Sequence, residues 1–142
     1  MKIYFPMTAQ IITKGHIKCL EWLRDYKHQL HPLITIGLLT DKALKGYKKC
    51  IVPYRDRKYV LETIANGIRK GDCRCIHVVP QSSLDPSENI KKYKPVAIAS
   101  GDGWEKEELE AIKKFNLIKI DIKLPKKYSS SLILKKLCQK KF

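Results

Sequence analysis

Residues 7–23 read "MTAQIITKGHIKCLEWL". Ile17, Leu20, Leu23 and Tyr26 recur at helical spacing, which predicts a helix beginning close to Gly15. The apolar stretch 2–7 upstream predicts a strand that feeds this helix through a polar corner of Thr13, Lys14, Gly15 and His16. A helix start carries unpaired N–H groups and partial positive charge, so it is a natural seat for phosphate. Glycine admits close approach to the backbone, and histidine can donate a hydrogen bond to a phosphoryl oxygen. Taken alone, the stretch equally describes a strand-to-helix turn with an incidental surface histidine.

Working outward, short apolar runs alternate with helical periodicity. Strands are predicted near 2–7, 33–39, 75–80, 95–99 and 117–122. Helices are predicted near 15–27, 55–69, 105–115 and 129–138, with a short one around 86–92. Alternation of this kind predicts an α/β domain, a Rossmann-like parallel five-stranded sheet with helices on both faces, spanning residues 1–142 as one unit. In such sheets ligands sit beyond the carboxyl ends of the strands. The unusual polar residues cluster where strands should end: the Thr13–His16 corner, Thr40-Asp41-Lys42 with a lysine-rich loop to Tyr54, "SGDGW" at 100–104, and "KLPKKYSSS" at 123–131.

The totals narrow the function classes. With 44% hydrophobic and 30% charged residues over 142 positions, the chain is globular in composition and large enough for a core. A net charge of +15 points to a polyanionic partner. Nucleic acid, an anionic membrane and a nucleoside triphosphate all fit that description, but the lysines are scattered, without a basic block interleaved with aromatics or a zinc-finger spacing, which disfavours nucleic acid. The five cysteines are odd in number and lack paired CxxC motifs, so they are expected as reduced thiols. No apolar run approaches the ~20 residues of a membrane span, and the expectation is a cytoplasmic protein with no membrane partner.

Each polar segment has a chemical reading. Ser129, Ser130 and Ser131 precede Leu132 and Ile133, where hydroxyls can cap a helix or share its N–H groups with phosphate. Lys45, Lys48 and Lys49 form a basic loop that could close over a triphosphate, or simply be solvated. Arg55 and Arg57 stand at a helix start, where a cation opposes the dipole unless it holds an anion. Asp102 can cap the helix near Trp104 or contact a nucleotide or its metal. The chain has no GxGxxG after the first strand, no GxxxxGK[ST] and no GxSxG elbow, which excludes the common dinucleotide, P-loop and serine-hydrolase architectures.

Thr13-x-Gly15-His16 resembles the [HT]xGH motif of the nucleotidyltransferase superfamily that includes cytidylyltransferases and phosphopantetheine adenylyltransferase. "YSSSLI" at 128–133 is similar to its second signature, ISSTxIR, and "PYRDRKYVLETI" at 53–64 and "SGDGW" resemble segments of glycerol-3-phosphate cytidylyltransferases. "MTAQIITKGH", "IGLLTDKALKGYKK", "VVPQSSLD" and "KYKPVAIASGDGW" look like cytidylyltransferase domains associated with phosphoenolpyruvate phosphomutase in phosphonate pathways. The chain departs from these relatives at several places. Thr13 stands where cytidylyltransferases usually have histidine, Gln10 where they have an acid, Gly103 at the second aspartate of GDDW and Leu134 at the arginine of ISSTxIR. Lys126 is the best substitute for an arginine that precedes that signature, and Ala65 replaces another.

The resemblance implies transfer of CMP from CTP to a small phosphonate or phosphate, 2-aminoethylphosphonate-like by preference, with Mg²⁺ on the triphosphate. Glycerol 3-phosphate or phosphocholine are alternative acceptors. An adenylyltransferase, favoured by Thr13, and a weakened nucleotide-binding regulatory protein are alternative activities. The implied catalytic set is His16, Thr13, Lys49, Arg57 and Ser130. Thr8, Ala9, Gly15, Gly101, Asp102, Tyr128, Ser129 and Ser131, with His16 and Ser130, would bind the nucleotide, and no residue is assigned as a metal ligand. Relatives are often dimers, which makes a homodimer the expected assembly if there is one.

Overall fold

The computed structural model describes residues 1–28, 32–47, 49–68 and 76–124. Five strands, β1 (Lys2–Met7), β2 (Leu33–Leu39), β3 (Ile76–Gln81), β4 (Ala97–Ser100) and β5 (Ile118–Asp121), pair in parallel in the order β3-β2-β1-β4-β5. Between them lie α1 (Lys14–Arg24), α2 (Asp41–Lys45), α3 (Tyr54–Ile68), α4 (Ser87–Tyr93) and α5 (Lys106–Phe115). The architecture is the Rossmann-like α/β sheet expected from the alternation of apolar runs. All five strands fall within two residues of their predicted bounds. The helix expected at 129–138, with its serines, lies outside the described residues.

Two differences are local. α1 stops at Arg24 rather than running to 27, because Lys27 adopts a left-handed φ of 50° and a 3-10 turn follows. The lysine-rich loop opens with the short helix α2, whose N-cap Thr40 accepts from Ala43 N–H at 3.3 Å and whose Leu44 is buried. Five residues carrying one apolar anchor are too few to show helical periodicity.

Strand residues alternate between two covered faces, as the period of a strand requires. Ile3, Phe5 and Met7 join Leu20 and Leu23 of α1 and Leu61 and Ala65 of α3 in the main core. On the opposite face Tyr4 is fully buried and donates to Gln81 Oε1 at 2.6 Å, while Asn89 Nδ2 of α4 donates to the Tyr4 hydroxyl at 2.9 Å. Gly37 in β2 makes room for this network, since a Cβ there would lie 1.9 Å from the Tyr4 hydroxyl oxygen. Burial pushes the Tyr4 phenol far above its usual range, so it stays protonated.

The strand order reverses between β1 and β4, the place where ligands sit in open α/β sheets. Here β1 pairs with β2 along its whole length, from Lys2↔Leu33 to Met7↔Leu38. Its pairing with β4 is confined to Ile3↔Ala97 and Tyr4↔Ile98. Lys2 O accepts from Val96 N–H on the β4 side, so by alternation Tyr4 and Pro6 also turn their backbone groups that way. Pro6 has no N–H to give, and the pairing ends just before it. A proline in the central strand is tolerated at this position and helps keep the two strands apart at their carboxyl ends.

Candidate active site

The chain leaves β1 through Thr8, Ala9 and Gln10 and enters α1 at Thr13. Ala9 is 2% exposed and left-handed, with φ of 48°, a conformation that a residue with a Cβ adopts only when its neighbours are fixed. Both neighbours are. Thr8 O accepts from Arg57 Nη1 at 2.8 Å. The Gln10 amide donates from Nε2 to Lys49 O at 2.8 Å and accepts at Oε1 from Ile51 N–H at 2.7 Å.

Thr13 is the N-cap of α1, and its backbone N–H donates to His16 Nδ1 at 3.0 Å. The Thr13 hydroxyl lies 3.2 Å from the same nitrogen. A nitrogen that accepts a backbone N–H carries no proton, so neutral His16 holds its proton on Nε2. Burial lowers the His16 pKa from 6.5, against an opposing pull from the Asp102 carboxylate. The ring is therefore kept as a neutral donor, in the first turn of a helix whose second residue, Gly15, is buried.

That first turn is electrostatically distinct. α2, α3, α4 and α5 each place a carboxylate in the first turn: Asp41, Asp56, Glu88, and Glu107 with Glu108. α1 has none there and carries Lys14 instead. An anion at this position would supply what the other helices draw from their own side chains.

The end of β4 closes on the same corner. A Cβ at Gly101 would meet Cys19 Sγ of α1 at 3.0 Å, so glycine permits this close approach. Asp102 is exposed and acts electrostatically on both His16 and Cys19. Burial first, and Asp102 second, push the Cys19 thiol up to about 11, which leaves it an inert, packed group. Among the described residues no three His, Cys, Asp or Glu gather to hold a metal by themselves.

The lysine-rich loop forms the third side. Lys45, Gly46, Tyr47, Lys49 and Cys50 line an open depression of about 510 Å³. Lys49 is exposed, and Tyr47 donates to Glu105 Oε1, ahead of α5, at 2.6 Å. This carboxylate is the main cause that raises the Tyr47 phenol to about 12.

Arg57, expected to hold an anionic part of a substrate, holds an anion of the protein itself. It is 1% exposed, and four of its five N–H groups donate within the protein. The acceptors are Val52 O at 2.8 Å, Thr8 O at 2.8 Å, Leu39 O at 2.7 Å and Asp41 Oδ1 at 2.9 Å. Asp41 also accepts from Tyr54 N–H at 2.8 Å, and these bonds, Arg57 foremost, hold its carboxyl below the usual range. Arg57 thus joins the ends of β1 and β2 to the start of α3, with no fork left to grip a substrate. Its spacing with Leu61 and Ala65 on the buried stripe of α3 is the sequence signal for this inward role.

The structure therefore brings Thr8, Ala9, Thr13, Gly15, His16, Gly101 and Asp102 to one corner, with Lys49 on the adjoining loop. Tyr128, Ser129, Ser130 and Ser131 lie outside the described residues. Gln10, Asp41 and Tyr47, present in the quoted sequence segments but without a role there, stand beside these residues.

The chain is thus an α/β domain with a parallel sheet open at its switch point and a histidine-bearing helix start whose first turn has no carboxylate. The profile of the cytidylyltransferase-like family matches residues 4–136, and the chain belongs to that family. Membership supports nucleotidyl transfer as its general class of activity. Direct comparison with curated proteins returns no match. Among the described residues, no helix is long and apolar enough to cross a membrane.

Proposed function

We propose that the protein is a cytidylyltransferase that moves CMP from CTP onto a small phosphonate or phosphate, a 2-aminoethylphosphonate-like acceptor being favoured. The observation that carries this reading is the Thr13–His16 pair, which fixes a neutral imidazole with its proton on Nε2 at a helix start without a carboxylate.

An acceptor oxygen attacks the α-phosphorus of CTP, the bond from that phosphorus to the bridging oxygen breaks, and pyrophosphate leaves with the electron pair. A phosphonate or phosphate oxygen is already anionic near neutral pH, so no protein nucleophile is needed. Alignment and neutralisation of developing charge do the catalysis. His16 donates to a phosphoryl oxygen, and Thr13 holds the ring in that tautomer. Lys49 neutralises charge on the pyrophosphate side, where resemblance also assigns Ser129 and Ser130. Gly101 and Asp102 flank the nucleoside. Arg57 positions the Thr8 carbonyl and the start of α3 rather than touching substrate.

The donor set suits Mg²⁺ carried mainly by the nucleotide, because Asp102 is the carboxylate beside His16 and the ion takes phosphate oxygens and water readily. When bound, the ion would neutralise triphosphate charge. Thr13, where cytidylyltransferases usually have histidine, favours ATP as the second nucleotide to test. The test is pyrophosphate release with Mg²⁺, crossing CTP, ATP, GTP and UTP against 2-aminoethylphosphonate, phosphocholine and glycerol 3-phosphate. CTP-dependent release with the phosphonate is expected. Release confined to ATP overturns the choice of base, and silence in every combination overturns the activity.

A further inference from the structure

We infer that Gln10 is a positioning residue whose side-chain amide fastens the Lys49–Ile51 stretch of the lysine-rich loop to the β1–α1 corner and thereby sets where Lys49 stands relative to the nucleotide. The inference rests on the nucleotide-binding reading above for its functional half, and on geometry alone for its structural half.

Gln10 binds the loop in two directions. Nε2 donates to Lys49 O at 2.8 Å, and Oε1 accepts from Ile51 N–H at 2.7 Å. The two contacts reproduce the exchange of a donor and an acceptor that a neighbouring strand would make, and they hold the residues on either side of Cys50. A carboxylate cannot replace it, since an ionised acid offers acceptors only and would face the Lys49 carbonyl with a lone pair. The choice of amide over acid at this position therefore has a structural reason, visible only once the loop is folded against the corner.

The clasp holds a stretch that the other ties of this loop leave to it. Tyr47 reaches Glu105 on one side. On the other, Arg57 Nε holds Val52 O at 2.8 Å, and Cys50 Sγ lies 3.4 Å from Asp41 Oδ1. Gln10 alone links the Lys49 and Ile51 backbone to the segment that also contains Thr8 and Ala9, among the hydrogen bonds seen in the described residues. Lys49 has a flexible stem, so a fixed carbonyl beneath it confines the ammonium group to one region of the rim.

Two readouts test the structural and functional halves separately. Amide hydrogen exchange at Ile51 in the free protein should accelerate at least about tenfold in Gln10→Ala, as expected for a donor that has lost its acceptor. An unchanged Ile51 rate overturns the clasp. Calorimetric affinity for the preferred nucleotide should fall about fivefold in Gln10→Ala and in Gln10→Glu, while Lys49→Ala with Gln10→Ala should lose no more than Lys49→Ala alone. Additive losses would mean that Gln10 acts elsewhere than through Lys49. Wild-type protein that binds neither CTP nor ATP would defeat the functional reading, while the Ile51 rate would still decide whether the clasp exists.

Discussion

The β1–α1 corner and the start of α3 sit side by side at the carboxyl edge of the sheet, each built around a basic side chain, and they use those side chains in opposite directions. At the start of α3 the Arg57 guanidinium is turned inward, and three backbone carbonyls and a carboxylate take up its donors. At the corner a backbone N–H of the protein donates to one ring nitrogen of His16, which places the proton of the neutral ring on the other. The difference follows from charge and burial. A guanidinium cannot shed its proton, so once buried it must be surrounded by oxygen. An imidazole can be buried neutral, and the single hydrogen bond it accepts decides which nitrogen faces a ligand as donor.

Substitutions at the two centres should separate stability from chemistry. Arg57→Met leaves the Thr8, Leu39 and Val52 carbonyls without their donor, and the expected loss is about 3 kcal/mol or more of folding stability. A fall in Tm on the order of 10 °C should follow; a wild-type Tm with lost nucleotide affinity would instead make Arg57 a ligand contact. His16→Ala should do the reverse, cutting turnover on the order of 10²-fold while Tm changes little. Turnover within about threefold of wild type would remove the histidine from the transition state.

Tyr47→Phe tests a contact between the two extremes, an exposed phenol on a half-buried carboxylate. Loss of the bond to Glu105 should cost about 1 kcal/mol or less and should raise the nucleotide off-rate more than it lowers Tm. Stopped-flow release of a fluorescent nucleotide would show it, and an unchanged off-rate would make the tie ornamental.

The smallest effect concerns pH. Burial lowers the His16 pKa from 6.5 in the native state, so the unfolded chain takes up its proton first as pH falls. The stability that the neutral ring contributes is complete above about pH 6.5 and is lost as the pH drops from there toward the lowered native value. Denaturant unfolding across that window should give a shallower slope in His16→Gln. His77, lowered by burial as well, should account for a remainder. An identical slope in the variant would assign the dependence elsewhere.

Much of the fold was legible because its strands are nearly continuous apolar runs, such as "LITIGLL", and its longer helices carry clear stripes. The corner was legible because its chemistry lies within four consecutive residues, Thr13 to His16. What escaped depends on contacts distant in sequence. Gln10 stands out in the sequence as an amide where relatives have an acid, but its partners Lys49 and Ile51 lie 39 and 41 positions away, and nothing local names them. Arg57 at a helix start suggests an anion, and the anion it meets is Asp41 of the protein itself, because its place in line with Leu61 and Ala65 turns it inward.

Pro6 carries a kinetic consequence. Where an ordinary residue would offer an N–H through which β1 and β4 could zip to their ends, the imino acid removes that competitor for the crevice. A ligand arriving there meets a gap that does not first have to be pried open by breaking sheet hydrogen bonds. Capture would then be limited by encounter, which a chain of net charge +15 accelerates for any polyanion and which added salt should slow. One residue without a donor thus shifts selectivity away from the opening of the site and onto what the corner and its loop hold once the ligand is inside.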